Sequence, residues 1–407
     1  MRTSSALTDQ IHTLTDGLLA ELVDFRRDLH AHPELGFNEH RTTAKVAERL
    51  EAAGLKVRRF SPTGLAADID PATEPGPATR RLRRVALRAD LDALPLQEDT
   101  GLPFSSTVPG VSHACGHDVH TTVVLGAGLV LAELARQGAL HSAVRLIFQP
   151  AEEIQPGGAL DLLDTGVLED VDRIFAVHCD PKVPVGQVGT RIGPITSASD
   201  TVTVTLTSDG GHTSRPHLTG DVVYALGLVA TTTPALLGRR LDPRAGVNLT
   251  WGSVRAGSAP NAIPTTGTIT GTLRCLDART REKAENLLQE LITQVVAPTG
   301  VETEVSLVRG VPPVDNDEVC TRILDEAARA VLGPDALVLT EQSLGGEDFG
   351  WYLTAAVGAM ARLGVRTPGG RAYDLHRPDL VVDEDAIGVG ARFLAQVAAG
   401  AGRDLHT

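Results

Sequence analysis

The sequence predicts an α/β protein: a mixed, largely parallel β-sheet sandwiched by helices, with a smaller α+β domain inserted into it. Three observations carry this expectation. Short runs that are almost wholly apolar, such as "AVRLIFQ" (143–149) and "RIFAV" (173–177), alternate with helical stretches, as strands buried on both faces do. Near residue 196 the pattern switches to strict alternation in "SDTVTVTLTS" (199–208), which suits a strand with one face exposed. After residue 308 the first pattern returns, and a chain of 407 residues exceeds one ordinary core. The expected organisation is a main domain built from 1–196 and 308–407, with 197–307 as an inserted lid and dimerisation domain.

The elements follow in order. Apolar residues recur at helical spacing from Leu14 to His30, and "AHP" ends the run. "TTAKVAERLEAAG" (42–54) reads as a helix closed by Gly54. Strands are expected at 55–60, 64–69 and 84–89, with the Pro-rich "PATEPGPATRR" (71–81) as a hairpin tip. "TTVVLGAGLVLAELARQG" (121–138) is apolar nearly all round and should be a buried helix. Within the insertion, a helix (219–237), alternating strands (247–254 and 266–275) and a helix (279–296) are expected. Helix 317–331, strands 336–340 and 357–363 and helix 384–399 complete the main domain.

Composition narrows the class. Hydrophobic residues make up 42% and charged residues 22%, as in globular proteins. A net charge of −14 argues against a broad basic surface for nucleic acid or an anionic membrane. Cys115, Cys179, Cys275 and Cys320 are widely scattered, which fits a reducing cytosol better than a disulfide framework. "MRTSSALTDQ" lacks the apolar core of a signal peptide, and no uninterrupted apolar run reaches about eighteen residues, so a cytoplasmic protein without a membrane span is expected.

The chemistry concentrates in "VSHACGHDVHTT" (111–122), a turn just ahead of the apolar helix. Thiolate and imidazole are both good ligands for zinc and its neighbours. Cys115 and His117 lie two apart, unlike a C-x-x-C knuckle, so further ligands must come from elsewhere. "IFQPAEE" places Glu152 and Glu153 after a strand, "IFAVHCDP" places His178 at the end of another, and "ALRADLDALP" places Asp90 and Asp92 after a third. "DLHRPD" offers His376. Open α/β sheets set their sites at such strand ends. One glutamate would bind metal while its neighbour serves as a base. Each residue alone reads equally as core or surface; the joint pattern asks for a metal centre.

These segments, with "DLHAHPELGFNE" (28–39), "GGHTSRPH" (210–217), "PNAIP" (260–264) and "GGEDF" (345–349), cover most of the chain. Together they resemble the aminoacylase-like dinuclear metallopeptidases, in particular the amidohydrolase branch with the hippurate and indole-acetyl-amino-acid hydrolases. The resemblance implies two divalent metal ions per subunit; the mixed thiolate, imidazole and carboxylate donors suit zinc or manganese, with cobalt or nickel as alternatives. By the same match, Cys115, His117, Glu153, His178 and His376 would be ligands, with Cys115 as a bridge. Glu152 would be the base, and Asp92 would orient the ligands from behind. Related branches carry a His ligand where Asp90 stands, which leaves its role open; His113 and His120 read as packing or orienting groups.

The resemblance further implies hydrolysis of the amide of an N-acyl amino acid to a carboxylic acid and a free amino acid. His212 would reach a catalytic site, often that of a partner subunit; Asn261 and Arg274 would grip substrate, and a homodimer through the lid is the family expectation. Taken alone, His212 is an ordinary turn histidine and Arg274 an outward charge. Glu347 and Asp348 fit either a close backbone approach at "SLGG" or a helix N-terminus. The alternatives are a dipeptidase or carboxypeptidase of the same fold, or a metal binder without turnover. The chain departs from its relatives where "IQPGGA" follows "PAEE" and where Cys179 follows His178, which puts the acyl preference in doubt. No G-x-x-x-x-G-K-[ST] phosphate loop and no G-x-S-x-G elbow occurs.

Overall fold

The computed structural model describes residues 2–72 and 84–404. The expected hairpin tip at 71–81 lies outside them from residue 73 onward. The chain divides into two compact units: Met1–Gly193 with Asn316–Glu341 and Trp351–Thr407, and Pro194–Asp315 with Gln342–Gly350. Compared with the expected insertion of 197–307, the second unit begins earlier, ends later and takes in a separate later segment.

The first unit is built on a mixed sheet. Among the described residues its strand order is Lys56–Arg59, Leu65–Ile69, Ala143–Gln149, Arg84–Asp90, Val171–Pro184, Val357–Arg366, Val188–Thr190 and Leu337–Leu339. Arg84–Asp90 pairs in parallel with both Ala143–Gln149 and Val171–Pro184, and the latter pairs in parallel with Val357–Arg366. Every residue of Ala143–Gln149 is buried, as its largely apolar run leads one to expect, and its Arg145 is paired with Asp68 at 2.7 Å. The helices Arg2–Ala31, His117–Arg136, Glu318–Leu332 and Asp385–Asp404 pack against one another and against this sheet.

His117–Arg136 is the crossover between the parallel strands Arg84–Asp90 and Ala143–Gln149 in space, and nearly all of it is buried. Two glycines let its neighbours approach. A Cβ on Gly126 would stand 2.7 Å from Leu22 Cδ1 and 3.1 Å from Ala391 Cβ. The helix begins four residues earlier than its apolar pattern indicates because the polar residues His117, Asp118 and His120 are themselves buried in its first turns.

The second unit holds a four-stranded antiparallel sheet ordered Asn248–Ala256, Thr266–Cys275, Ala198–Thr207, Glu302–Val308. Its buried face carries Val202, Val204, Leu206, Ile269 and Leu273 against Leu226 and Val229 of Val222–Arg240 and Leu288 and Ile292 of Ala278–Val296. Both helices start at an aspartate: Asp221 accepts the Tyr224 N–H at 3.0 Å and Asp277 accepts the Thr280 N–H at 2.7 Å. Val222–Arg240 and His117–Arg136 are long and apolar enough to cross a membrane. Here the first lays its buried residues on the second unit's sheet, and the other is a core helix.

Gly126→Ala should therefore lower stability by about 1–3 kcal/mol through overpacking. Gly17→Ala, exposed in the first helix with nothing within 4 Å of its Cβ, should raise it by about 0.5–1 kcal/mol through helix propensity. Urea unfolding of the two variants checks the opposite signs.

Candidate metal centre

The polar side chains of interest converge at strand ends of the first unit. Asp90 ends Arg84–Asp90 and Asp92 follows it; Glu152 and Glu153 follow Ala143–Gln149. His178 lies inside Val171–Pro184, opposite Arg362, because that strand continues well past the apolar run "RIFAV". Cys115 and His117 flank Gly116, which caps the core helix with φ of 85°. A Cβ at Gly116 would stand 2.9 Å from Cys179 Sγ, so the turn needs glycine for conformation and for space. His376 also has a positive φ, 59°, and its N–H donates to Ala114 O at 2.8 Å, docking it beside Cys115.

The structure brings the five expected ligands into one connected cluster. Ligand atoms of Cys115, His117 and His178 lie within 4.8 Å of one another, as do those of Cys115, Glu153 and His376 and those of His117, Glu152 and Glu153. Cys115 Sγ is 3.6 Å from His178 Nε2, His376 Nε2 is 3.1 Å from Glu153 Oε1, and His117 Nε2 is 3.9 Å from both Glu152 Oε2 and Glu153 Oε1. The donor set fits divalent cations on a structural ground: His117 Nε2 is buried without a hydrogen-bond partner, and buried polar atoms are otherwise satisfied.

A layer behind the cluster fixes the rings. His117 Nδ1 is 3.2 Å from Asp92 Oδ1, while Asp92 Oδ2 accepts the Glu153 N–H at 2.9 Å. One carboxylate thus orients two of the candidate ligands. Asp90 is engaged by Arg88 at 2.7 Å and by His120 Nδ1 at 2.7 Å. His120 Nε2 in turn accepts the Cys179 N–H at 2.7 Å, so its proton sits on Nδ1 and points at Asp90. His178 Nδ1 donates to Cys179 O at 2.9 Å, which leaves Nε2 facing Cys115. Arg88 has no counterpart in the sequence reading. Its signal was a lone cation within an apolar strand, which must find a buried partner. His113 is buried with neither ring nitrogen hydrogen-bonded, and burial holds its pKa down at about 3.

Electrostatics set the protonation states. Burial pushes the Cys115 thiol well up, so a cation is what would ionise it. Burial, then Arg362, holds His178 well below the ordinary imidazole value, hence neutral, with its Nε2 lone pair turned to the Cys115 thiol. Burial opposes charge on His117, but Asp90 and Cys115 outweigh it and raise that ring. The hydrogen bond to Glu153 raises His376.

A separate buried network lies behind the helix start. Asp118 Oδ2 takes Arg26 Nε at 2.6 Å and His30 Nδ1 at 2.8 Å, and His30 Nε2 reaches Glu98 Oε1 at 3.2 Å. Burial would raise the Glu98 carboxyl, but bonds from His30, Thr100 and the Ser106 N–H bring it down to about 2.

The remaining expected residues belong to the second unit. His212 pairs across a two-stranded ribbon with Ala262, and the Thr213 N–H donates to Asn261 O at 3.3 Å, so His212 and Asn261 are neighbours. Both are exposed, and His212 Nδ1 accepts the Ser214 N–H at 3.1 Å. Arg274 is tied down by its 2.5 Å bond to Leu344 O, and burial lowers its pKa. Glu347 accepts the Phe349 N–H at 2.9 Å, as a residue at a helix start does.

Thiol, imidazole and carboxylate groups gathered around a buried nitrogen without a hydrogen-bond partner define a candidate metal centre. The sequence matches peptidase family M20/M25/M40 over residues 86–400, and the chain belongs to that family. It is a hydrolase of amide bonds, as the family's deacetylases and amidohydrolases are. The N-acetyl-L-cysteine deacetylase of Bacillus subtilis is 36% identical over 93% of this chain and 87% of its own length. A Rhodococcus jostii protein named as a glutamate–cysteine ligase is 50% identical over 92% of this chain, which spans about half of it, 46%; that name describes a chain that lies mostly outside the match. Among solved structures, the YXEP protein of Bacillus subtilis, a dinuclear metal-binding peptidase of the M20 family, is 32% identical with a TM-score of 0.82, over 94% of this chain and 98% of that one.

The Glu98 contribution to stability should be complete above pH 4.5, its ordinary value, and fade as pH falls toward about 2. The difference in unfolding free energy between the parent and Glu98→Gln should shrink across that window. A difference that ignores pH there would show that these contacts do not hold the carboxylate.

Proposed function

We propose that this chain hydrolyses N-acyl amino acids to a carboxylic acid and a free amino acid, using two divalent cations. The observation that carries the reading is the single cluster formed by Cys115, His117, Glu153, His178 and His376 with the Glu152 carboxylate at its edge. The five side chains would be the ligands. Cys115, a member of two of the groups, would serve both ions. Zinc or manganese suits this mixture of thiolate, imidazole and carboxylate, with cobalt or nickel also compatible. When bound, such ions polarise an amide carbonyl and lower the pKa of a water.

The chain's own groups do the rest. Glu152 takes the proton from the attacking water and returns it to the departing nitrogen. Asp92 keeps His117 and Glu153 in register. From the second unit, His212 is proposed to steady the charge on the tetrahedral carbon's oxygen, and Asn261 and Arg274 to hold the substrate carboxylate. The deacetylase activity in the name of the Bacillus relative supports an N-acyl substrate. The peptidase named for the related structure favours a second reading, a dipeptidase or carboxypeptidase of the same fold.

The chain is proposed to act in the cytoplasm as a homodimer joined through the inserted domain. Asn248–Ala256 is the edge of that domain's sheet and is mostly exposed, with Val254 at 55%. Unpaired edges invite pairing with a second copy.

Glu152→Gln should keep its metal content and lose about 100- to 10,000-fold in kcat on N-acetyl amino acids; near-parental turnover would remove Glu152 as base. Chelation should abolish activity, and adding back zinc or manganese should restore it. Cleavage of dipeptides alone would favour the second reading. Val254→Lys should shift the parent dimer to monomer in sedimentation velocity, and a monomeric parent would end the dimer proposal.

A further inference from the structure

Glu39 stands at the N-cap position of the helix His40–Ala52, yet its side chain caps nothing. The neighbouring Glu34 does that work, its carboxylate accepting the Arg41 N–H at 2.9 Å and the Thr42 N–H at 2.8 Å. Glu39 instead turns inward and is fully buried. Its Oε1 accepts the Ala151 N–H at 2.8 Å, and its Oε2 accepts the Thr63 hydroxyl at 2.6 Å. Burying a carboxylate is costly, and one placed away from its own helix start needs another reason to be there.

Ala151 supplies that reason. It is a non-glycine residue with φ of 53°, in the left-handed region that side chains disfavour. It immediately precedes Glu152 and Glu153. The turn is closed on other sides too: the Gly158 N–H donates to Ala151 O at 3.0 Å, and a Cβ on Gly36 would stand 3.1 Å from Ala151 Cα. Two residues on, the Glu153 N–H is held by Asp92 at 2.9 Å. Two buried carboxylates from separate segments therefore grip alternate amides of one strained turn.

We propose that Glu39 is a positioning residue for the metal centre: by holding the Ala151 amide it keeps the turn in its left-handed conformation and so aims Glu152 and Glu153 into the cluster. This rests on the ligand and base roles assigned above. Glu39 touches neither substrate nor cation; it acts through the backbone. Glutamine at position 39 preserves the arrangement, since its carbonyl accepts the Ala151 N–H and its amide donates to the Thr63 hydroxyl.

The test measures zinc affinity by chelator competition, kinetics on N-acetyl amino acids, and thermal unfolding of the full chain. Glu39→Ala should weaken zinc binding about 10- to 100-fold, the range for groups that orient ligands, and lower kcat with KM changed by less than about threefold, since the turn and not the substrate grip is altered. Glu39→Gln should stay within about threefold of the parent in zinc affinity. Adding Ala151→Gly to Glu39→Ala should recover about tenfold, because glycine adopts the turn without being held. Unchanged zinc affinity in Glu39→Ala would overturn the proposal. So would a loss that neither glutamine nor the glycine replacement recovers, which would mark a purely structural role. If the zinc series behaves as expected but the parent cleaves no N-acyl amino acid, the positioning role stands and the functional reading falls.

Discussion

The structure depends on one constraint: ionisable side chains placed at the ends of buried strands must satisfy one another, because water does not reach them. Asp90, Asp92, His117 and His120 are all at or below 1% exposure. They are tolerable there because each carboxylate faces imidazole or guanidinium: Asp90 meets Arg88 and His120, and Asp92 meets His117. The front of the same cluster is different in kind. There a thiol, imidazoles and carboxylates face each other, and the Arg362 guanidinium lies near enough to help keep His178 neutral. Low permittivity makes such a gathering costly unless cations complete it. The packed rear and the front of candidate ligands are two sides of one electrostatic problem, and the fold meets it with groups drawn from strands, from the first turns of the core helix and from the loops beside them.

The fold was legible wherever hydrophobic periodicity was strong. The largely apolar strands and the switch to alternation at 199–208 correspond to two different sheets, one buried on both faces and one covered by helices on a single face. The fourth strand of the smaller sheet, Glu302–Val308, went unread because it is an edge with no fully buried residue. Val188–Thr190 is three residues long, too short for any period to register. The core helix starts ahead of its apolar run because histidine and aspartate are buried there, against their usual preference.

The candidate ligands were legible as residue types in separate segments, and Cys115, His117, Glu153, His178 and His376 do meet. What could not be read was the supporting layer. Nothing in "RRVALRAD" says that Arg88 reaches Asp90, and nothing in "GFNEH" says that Glu39 turns away from its helix toward a turn more than a hundred residues downstream. Such partners are fixed by tertiary placement, which leaves no periodicity behind. Asp90 shows the same limit: its type suits a ligand, but its neighbours commit it to hydrogen bonds.

The left-handed glycine between Cys115 and His117 has a wider consequence. Its missing side chain is the space into which Cys179 Sγ projects, and Cys179 directly follows His178. The interval between two candidate ligands on one segment and the bulk beside a third on another are thus set by a shared void. For anyone diversifying this scaffold in the laboratory, positions 116 and 179 form a single heritable unit. A side chain introduced at 116 must therefore be matched by a smaller one at 179.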